Sequence, residues 1–134
     1  MIRKGSYVLF LTISDTSMNI GSLGMVSLCA GEYCYVGSAK NGLDQRLSRH
    51  MSNEKKMHWH IDRLTMIAKD MDALESSEIP ECELCMSILD AGGVAAIKGF
   101  GCSDCHCISH LFHVSASLKE KLHADPRLSL YTHA

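Results

Sequence analysis

The stretch YCYVGSAKNGLDQRLSRH, Tyr33 to His50, reads as the end of a strand running into a helix. Tyr33 and Tyr35 alternate with Cys34 and Val36, so the two phenols share one face of the strand. Gly37, Ser38 and Ala39 open a small-residue loop, and Asn41 is placed to cap the helix that follows. In that helix Leu43, Leu47 and Met51 recur at i, i+4 and i+8 and define an apolar stripe. At about 100° per residue, Arg46 and His50 fall on the border of the stripe, from which they can reach back over the sheet edge. Arg49 points further out, towards solvent.

Working outward, GSYVLFLTIS reads as a strand from Ser6 that is apolar on both faces, hence central and covered on both sides. SDTSMNIGSLG is rich in turn formers, and MVSLCAGEYCYVG reads as two short strands broken near Ala30-Gly31, a hairpin. MHWHIDRLTMIA predicts a short helix anchored by Trp59 and Ile61, and KDMDALESSEI a strand. A clearer helix starts with Pro80 in its first position and stops at Gly92-Gly93. Strands return in VAAIKGFG and CHCISHLFHVS. The end of the chain, SLKEKLHADPRLSLYTHA, is polar and broken by Pro126, and reads as a surface turn and tail. The expected architecture is α+β: one compact domain over residues 1–117, with a small, mostly antiparallel sheet flanked by helices, and a tail over 118–134.

With 134 residues and 46% hydrophobic content the chain can bury a real core without staples. The apolar run YVLFLTI is too short for a membrane span and lacks a signal-peptide cleavage site, so a cytoplasmic location is the default. Seven cysteines are an odd count. Cys29, Cys34, Cys82 and Cys85 lie inside regular patterns and read as reduced, buried thiols rather than a disulfide framework.

A net charge of −2 argues against non-specific nucleic-acid binding, yet it averages two unlike segments. Lys40 to Arg63 carries +3, and Leu64 to Asp104 carries −6. A basic face beside an acidic, metal-holding wall would produce that asymmetry, and so would two solvated faces of opposite sign.

Four groups of residues could do chemistry. Tyr7 and Tyr35 sit in apolar strands, where a half-buried tyrosine is also ordinary. Glu81 projects near the middle of the stripe formed by Leu84, Cys85, Ile88 and Leu89, with Glu83 almost opposite. An inward carboxylate needs a partner or a metal, although in a first turn it can simply favour the helix dipole. In HWHID, His58, His60 and Asp62 form either a proton-transfer or metal cluster, or a support for a core anchored by Trp59. In CSDCHCISH, Cys102, Cys105, Cys107 and His110 are zinc-type ligands at a compressed spacing; as a strand, the segment would instead place Cys105 and Cys107 on one face as small buried residues.

Gly5-Ser6-Tyr7 and Tyr35-Val36-Gly37 resemble the paired signature of the GIY-YIG nucleases. The arginine of the following helix is matched by Arg46, and the glutamate of a later helix by Glu81. YCYVGSA, HWHID and FGCSDCHCISHLF are similar to stretches of a small stand-alone subgroup of that superfamily. The resemblance spans roughly Gly5 to His113. Ser6 and Val36 replace the middle isoleucines, and the 27 residues between Tyr7 and Tyr35 exceed the spacing of the wider family. The excess reads as an inserted hairpin, NIGSLGMVSLCAGEY, able to reshape a substrate groove.

The resemblance implies a phosphodiester hydrolase acting on DNA, RNA not excluded; a domain this small is expected to take its targeting from a DNA-repair or other partner protein, or from structured or damaged DNA. It implies one Mg²⁺ or Mn²⁺ on Glu81, a metal that keeps most of its waters. Tyr7 becomes the general base, its phenol lowered by nearby cations. Tyr35 positions water or phosphate, Arg46 clamps the scissile phosphate and His50 assists proton transfer. Gly37 bends the chain beside the site. Gly37, Ser38, Lys40, Arg49, His58, His60 and Asp62 are the candidate substrate contacts, with His60 and Asp62 supporting the rim. Two rivals stand beside this: a non-catalytic nucleic-acid-binding module on the same scaffold, and a zinc-stabilised interaction domain.

Overall fold

A computed structural model describes residues 4–20, 23–39, 42–52, 60–100 and 107–131. Its centre is β1 (Gly5–Ile13), which pairs antiparallel with β4 (Gly31–Ala39) on one side and β5 (Asp70–Ser76) on the other. Because both alternating sets of β1 side chains are apolar, both of its faces must be covered. Tyr7, Leu9, Leu11 and Ile13 face one core with Tyr33 and Tyr35 of β4. That core is closed by Leu43 and Leu47 of α1 (Leu43–Met51) and by Ile61 and Leu64 of α2 (His60–Thr65). Val8 and Phe10 face the opposite core with Cys34 and Val36. Leu84, Cys85 and Ile88 of α3 (Glu81–Asp90) and Leu118 and Leu122 of α4 (Ala116–Ala124) close it.

The short strands β6 (Val94–Ala95), β7 (Leu111–His113) and β8 (Ser129–Leu130) complete a six-stranded sheet in the order β6-β7-β4-β1-β5-β8. All its pairings are antiparallel. The α+β architecture expected from the sequence is therefore the observed one. Among the described residues no helix is long and apolar enough to cross a membrane.

Several local expectations change. The inserted hairpin starts earlier than the sequence suggests: β2 (Thr16–Asn19) pairs with β3 (Met25–Leu28), inside the segment read as turns. Strand β3 pairs with β2 in a separate two-stranded sheet, while β4 lies between β1 and β7 in the main one. Gly37 and Ser38 do not open a loop, since β4 runs on to Ala39 under the same pairing. The N-cap of α1 is Gly42, and Asn41 lies outside the described residues. Pro80 is the N-cap of α3 rather than its first residue. At the other end, Gly92 and Gly93 donate to the carbonyls of Leu89 and Ile88 and stop α3 as expected.

The segment read as turn and tail forms α4 and β8. Ser115 caps α4 by accepting from the Leu118 amide at 3.1 Å, and Leu118, Leu122, Leu128 and Tyr131 are buried. Four apolar residues at sheet- and helix-compatible positions outweigh the polar average of that segment. Cys34 and Cys85 are buried thiols, whereas Cys29 and Cys82 are exposed.

Candidate functional site

The register of β1 on β4 sets Tyr7 directly opposite Gly37. Tyr7 lays its ring across Gly37, and a Cβ added there would collide with the phenol oxygen and its ring carbon. Gly37 therefore serves by lacking a side chain under Tyr7, not by bending the strand. From above, α1 brings His50, which is 1% exposed. The Tyr7 hydroxyl and His50 Nε2 share a hydrogen bond of 2.6 Å. Tyr35 packs edge-on to His50 and stands 6.3 Å from Tyr7 between ring centroids. One turn before His50, Arg46 donates to the Ser38 carbonyl at 3.2 Å, and its positive charge acts on the Tyr7 phenol. The structure thus brings Tyr7, Tyr35, Gly37, Ser38, Arg46 and His50 to one corner of the sheet.

The electrostatics of that corner overturn one expectation. Burial pushes the Tyr7 phenol well above its ordinary value, and the charge and hydrogen bond of Arg46 pull it only partly back. Tyr35 is raised by burial too, then by Tyr7 and Glu81. Cations therefore do not make Tyr7 a phenolate at neutral pH, because removing the ring from water outweighs their attraction. A proton can leave Tyr7 only if an acceptor stands against it, and His50 does.

Arg49 is also placed differently from the expectation. It does not extend into solvent: its guanidinium forks onto Asp62 of α2, with Nη1 to Oδ1 at 2.7 Å and Nη2 to Oδ2 at 2.9 Å. The Asp62 side chain is fully buried and that of Arg49 is 26% exposed. Asp62 consequently lies under the helices rather than on a rim, and its ion pair fastens α1 to α2. With both outer nitrogens so engaged, Arg49 is a poor phosphate ligand. No pattern in the sequence pairs two residues on separate helices, so this contact was not legible there.

Glu81 opens α3 with its side chain 27% exposed. Its negative charge acts on both phenols, raising them. Its carboxylate stands 3.6 Å from Nδ1 of buried His110. His110 in turn is fixed on β4, with Nδ1 3.1 Å from the Val36 carbonyl and its own carbonyl accepting from the Val36 amide at 2.9 Å.

Cys82, Cys107 and His110 form a second cluster, whose ligand atoms all lie within 4.8 Å of one another and could hold a metal ion. Cys107 and His110 belong to the set expected from the sequence, while Cys102 and Cys105 lie outside the described residues. Cys82 was missed because it was read as a buried thiol; its place at an exposed helix start, next to a candidate carboxylate, was the available signal. Lys40, His58 and Trp59 lie outside the described residues as well, as does the side chain of His60.

An antiparallel sheet covered by helices on both faces, with a tyrosine–histidine–arginine cluster at one corner, defines the class of this protein. Over residues 6–128 the chain matches the family described as Domain of unknown function DUF123, and it belongs to that family. No curated protein and no solved structure matches it.

Proposed function

We propose that this domain is a metal-dependent endonuclease of the GIY-YIG type, hydrolysing phosphodiester bonds in DNA. The observation that carries the reading is the 2.6 Å contact between Tyr7 and His50, beside Arg46 and over Gly37. Hydrolysis at a phosphate needs a base for water, a cation for the phosphoryl oxygens and help for the leaving oxygen. Tyr7 takes a proton from water as it passes its own to His50 Nε2, so the buried phenol never carries a full charge. Arg46, half-buried and already aimed at Tyr7, offers its planar fork to the scissile phosphate. Tyr35 forms the wall against which water and phosphate are held.

Glu81 fits the role of a magnesium or manganese ligand. It is one partly exposed carboxylate beside His110, which is hydrogen-bonded to Val36 next to Gly37, and such ions need few protein ligands. The ion would supply charge neutralisation and leaving-oxygen stabilisation there.

The test is nicking of supercoiled plasmid and of branched or damaged duplexes with Mg²⁺ or Mn²⁺. Arg46→Ala and Glu81→Ala should each lower the rate at least about 100-fold, the loss typical of a removed transition-state contact. Cleavage that survives both substitutions removes the proposed site. Duplex that is bound but never cut, with either metal, replaces the reading with a binding module.

A further inference from the structure

We propose that Cys82, Cys107 and His110 bind a zinc ion that fastens the start of α3 to the segment leading into β7. Two observations independent of the nuclease reading carry this. The first is that donor atoms of Cys82 in α3 and of Cys107 and His110, more than twenty residues further along the chain, lie within 4.8 Å of one another. In a tetrahedral zinc site with bonds of about 2.0–2.3 Å, ligand atoms stand roughly 3.5–3.8 Å apart. Closing the cluster around an ion thus asks for about an ångström of movement, a distance that side-chain rotation at Cys82, exposed near the start of α3, can cover.

The second observation is the tautomer of His110. Its Nδ1 lies 3.1 Å from the Val36 carbonyl, which can only accept, so Nδ1 carries the proton. The lone pair is then on Nε2, and Nε2 is the nitrogen His110 presents to a metal. A ligand histidine commonly has its other ring N–H held by a carbonyl or carboxylate, and His110 has the Val36 carbonyl in that place.

Two thiolates and one imidazole select a borderline-soft ion such as zinc over magnesium or calcium, which prefer oxygen donors. Three protein ligands leave the fourth position to water. Because His110 is bonded to the residue before Gly37, and Cys82 follows Glu81, the ion would fix Glu81 relative to the Tyr7 corner. The arrangement divides two metals between two adjacent sites, with Glu81 on the magnesium side and Cys82 on the zinc side.

Metal analysis of the reduced full chain, expressed with zinc supplementation, is expected to give about one zinc per chain. Cys82→Ser should lose most of it, and because Cys82 is exposed this variant should still fold. Cys107→Ser should behave alike, whereas Glu81→Ala should keep its zinc while losing cleavage, which separates this inference from the nuclease reading. Cobalt(II) reconstitution provides the second measurement: thiolate-to-cobalt charge transfer should appear and should weaken in Cys82→Ser. A strong chelator should lower Tm by at least about 5 °C in the wild-type chain and leave Cys82→Ser unmoved. Zinc far below one per chain after supplementation and reconstitution overturns the inference. So does full zinc retention in both cysteine variants, or isolation of a Cys82–Cys107 disulfide that takes up no metal once reduced.

Discussion

The two faces of the central sheet are equally buried and chemically unlike. Under α1 and α2 the sheet holds Tyr7, Tyr35, His50 and the Arg49–Asp62 pair among its apolar residues. Under α3 and α4 it holds Val8, Phe10, Val36 and Leu74, with Ser6, Ser76 and Cys34 as exceptions among its buried strand residues. Stability alone favours the second solution, since an apolar side chain gains from burial without needing a partner. The first face accepts the cost of polar burial where Tyr7 meets His50 and Arg49 meets Asp62 in fixed geometry. Under the proposed function the contrast becomes a division of labour: one face carries the groups assigned to chemistry, and the other is a platform that holds Glu81 at the start of α3.

The sharpest way to break the contrast is to remove a partner from the polar face. Arg49→Ala leaves the buried Asp62 carboxylate without its bidentate donor, and should cost about 3–5 kcal/mol in urea denaturation. Arg46→Ala, on the same helix one turn earlier, should cost no more than about 1 kcal/mol, because that side chain is half-buried and donates to a strand carbonyl. Replacing both members of the pair, as in Arg49→Leu with Asp62→Leu, should recover much of the loss. Equal destabilisation by Arg46→Ala and Arg49→Ala would mean that the two arginines do not divide structure from chemistry.

Alkaline pH separates the faces by onset. Tyr7 and Tyr35 are raised above the ordinary phenol value of 10.0 by burial, so the unfolded chain loses these protons first. Between the unfolded and folded values the native state binds more protons, and stability falls as pH rises. Their contribution is intact below about pH 10 and is lost above it, at about 1.4 kcal/mol per pH unit for each phenol. On the other face burial raises the Cys34 thiol from 9.0 to about 12, so the same argument starts its loss near pH 9. Stability curves should steepen in two stages. Cys34→Ala should delete the earlier stage and Tyr7→Phe should reduce the later one. A curve unchanged by either substitution would show that these groups are not dry.

The sequence made the architecture legible where pattern and physics coincide. The unbroken apolar run of β1 demands cover on both faces, and the i, i+4 spacing of Leu43 and Leu47 places α1. The candidate corner was legible in its members, because Tyr7, Tyr35, Arg46 and Glu81 carry the family resemblance. What escaped were contacts that depend on three-dimensional approach. Nothing in the spacing of Arg49 and Asp62 pairs them, and nothing near Gly37 says that Tyr7 lies across it, because register is set by a strand about thirty residues away. The helix α4 escaped for a different reason. Its polar average hid Leu118 and Leu122, one helical turn apart, which suffice to dock a short helix.

The smallest expected effect tests the exception on the apolar face. Ser6 stands in a strand of apolar residues, yet it is 2% exposed. Its hydroxyl donates to the Ile79 carbonyl at 2.6 Å, two residues before α3 begins. Ser76, opposite Ser6 in the register, accepts from the amides of Glu78 and Ile79 at 3.1 and 3.2 Å. Together the two serines pin the β5–α3 connection to the sheet. Ser6→Ala deletes one donor and leaves the Ile79 carbonyl unmatched, which should cost about 1 kcal/mol. If the platform face exists to hold Glu81 in place, the variant should lose more cleavage than this stability change explains, through weaker dependence on added Mg²⁺. A Ser6→Ala protein with unaltered metal dependence would reduce the hydroxyl to packing, and the second face to a core with no share in the site.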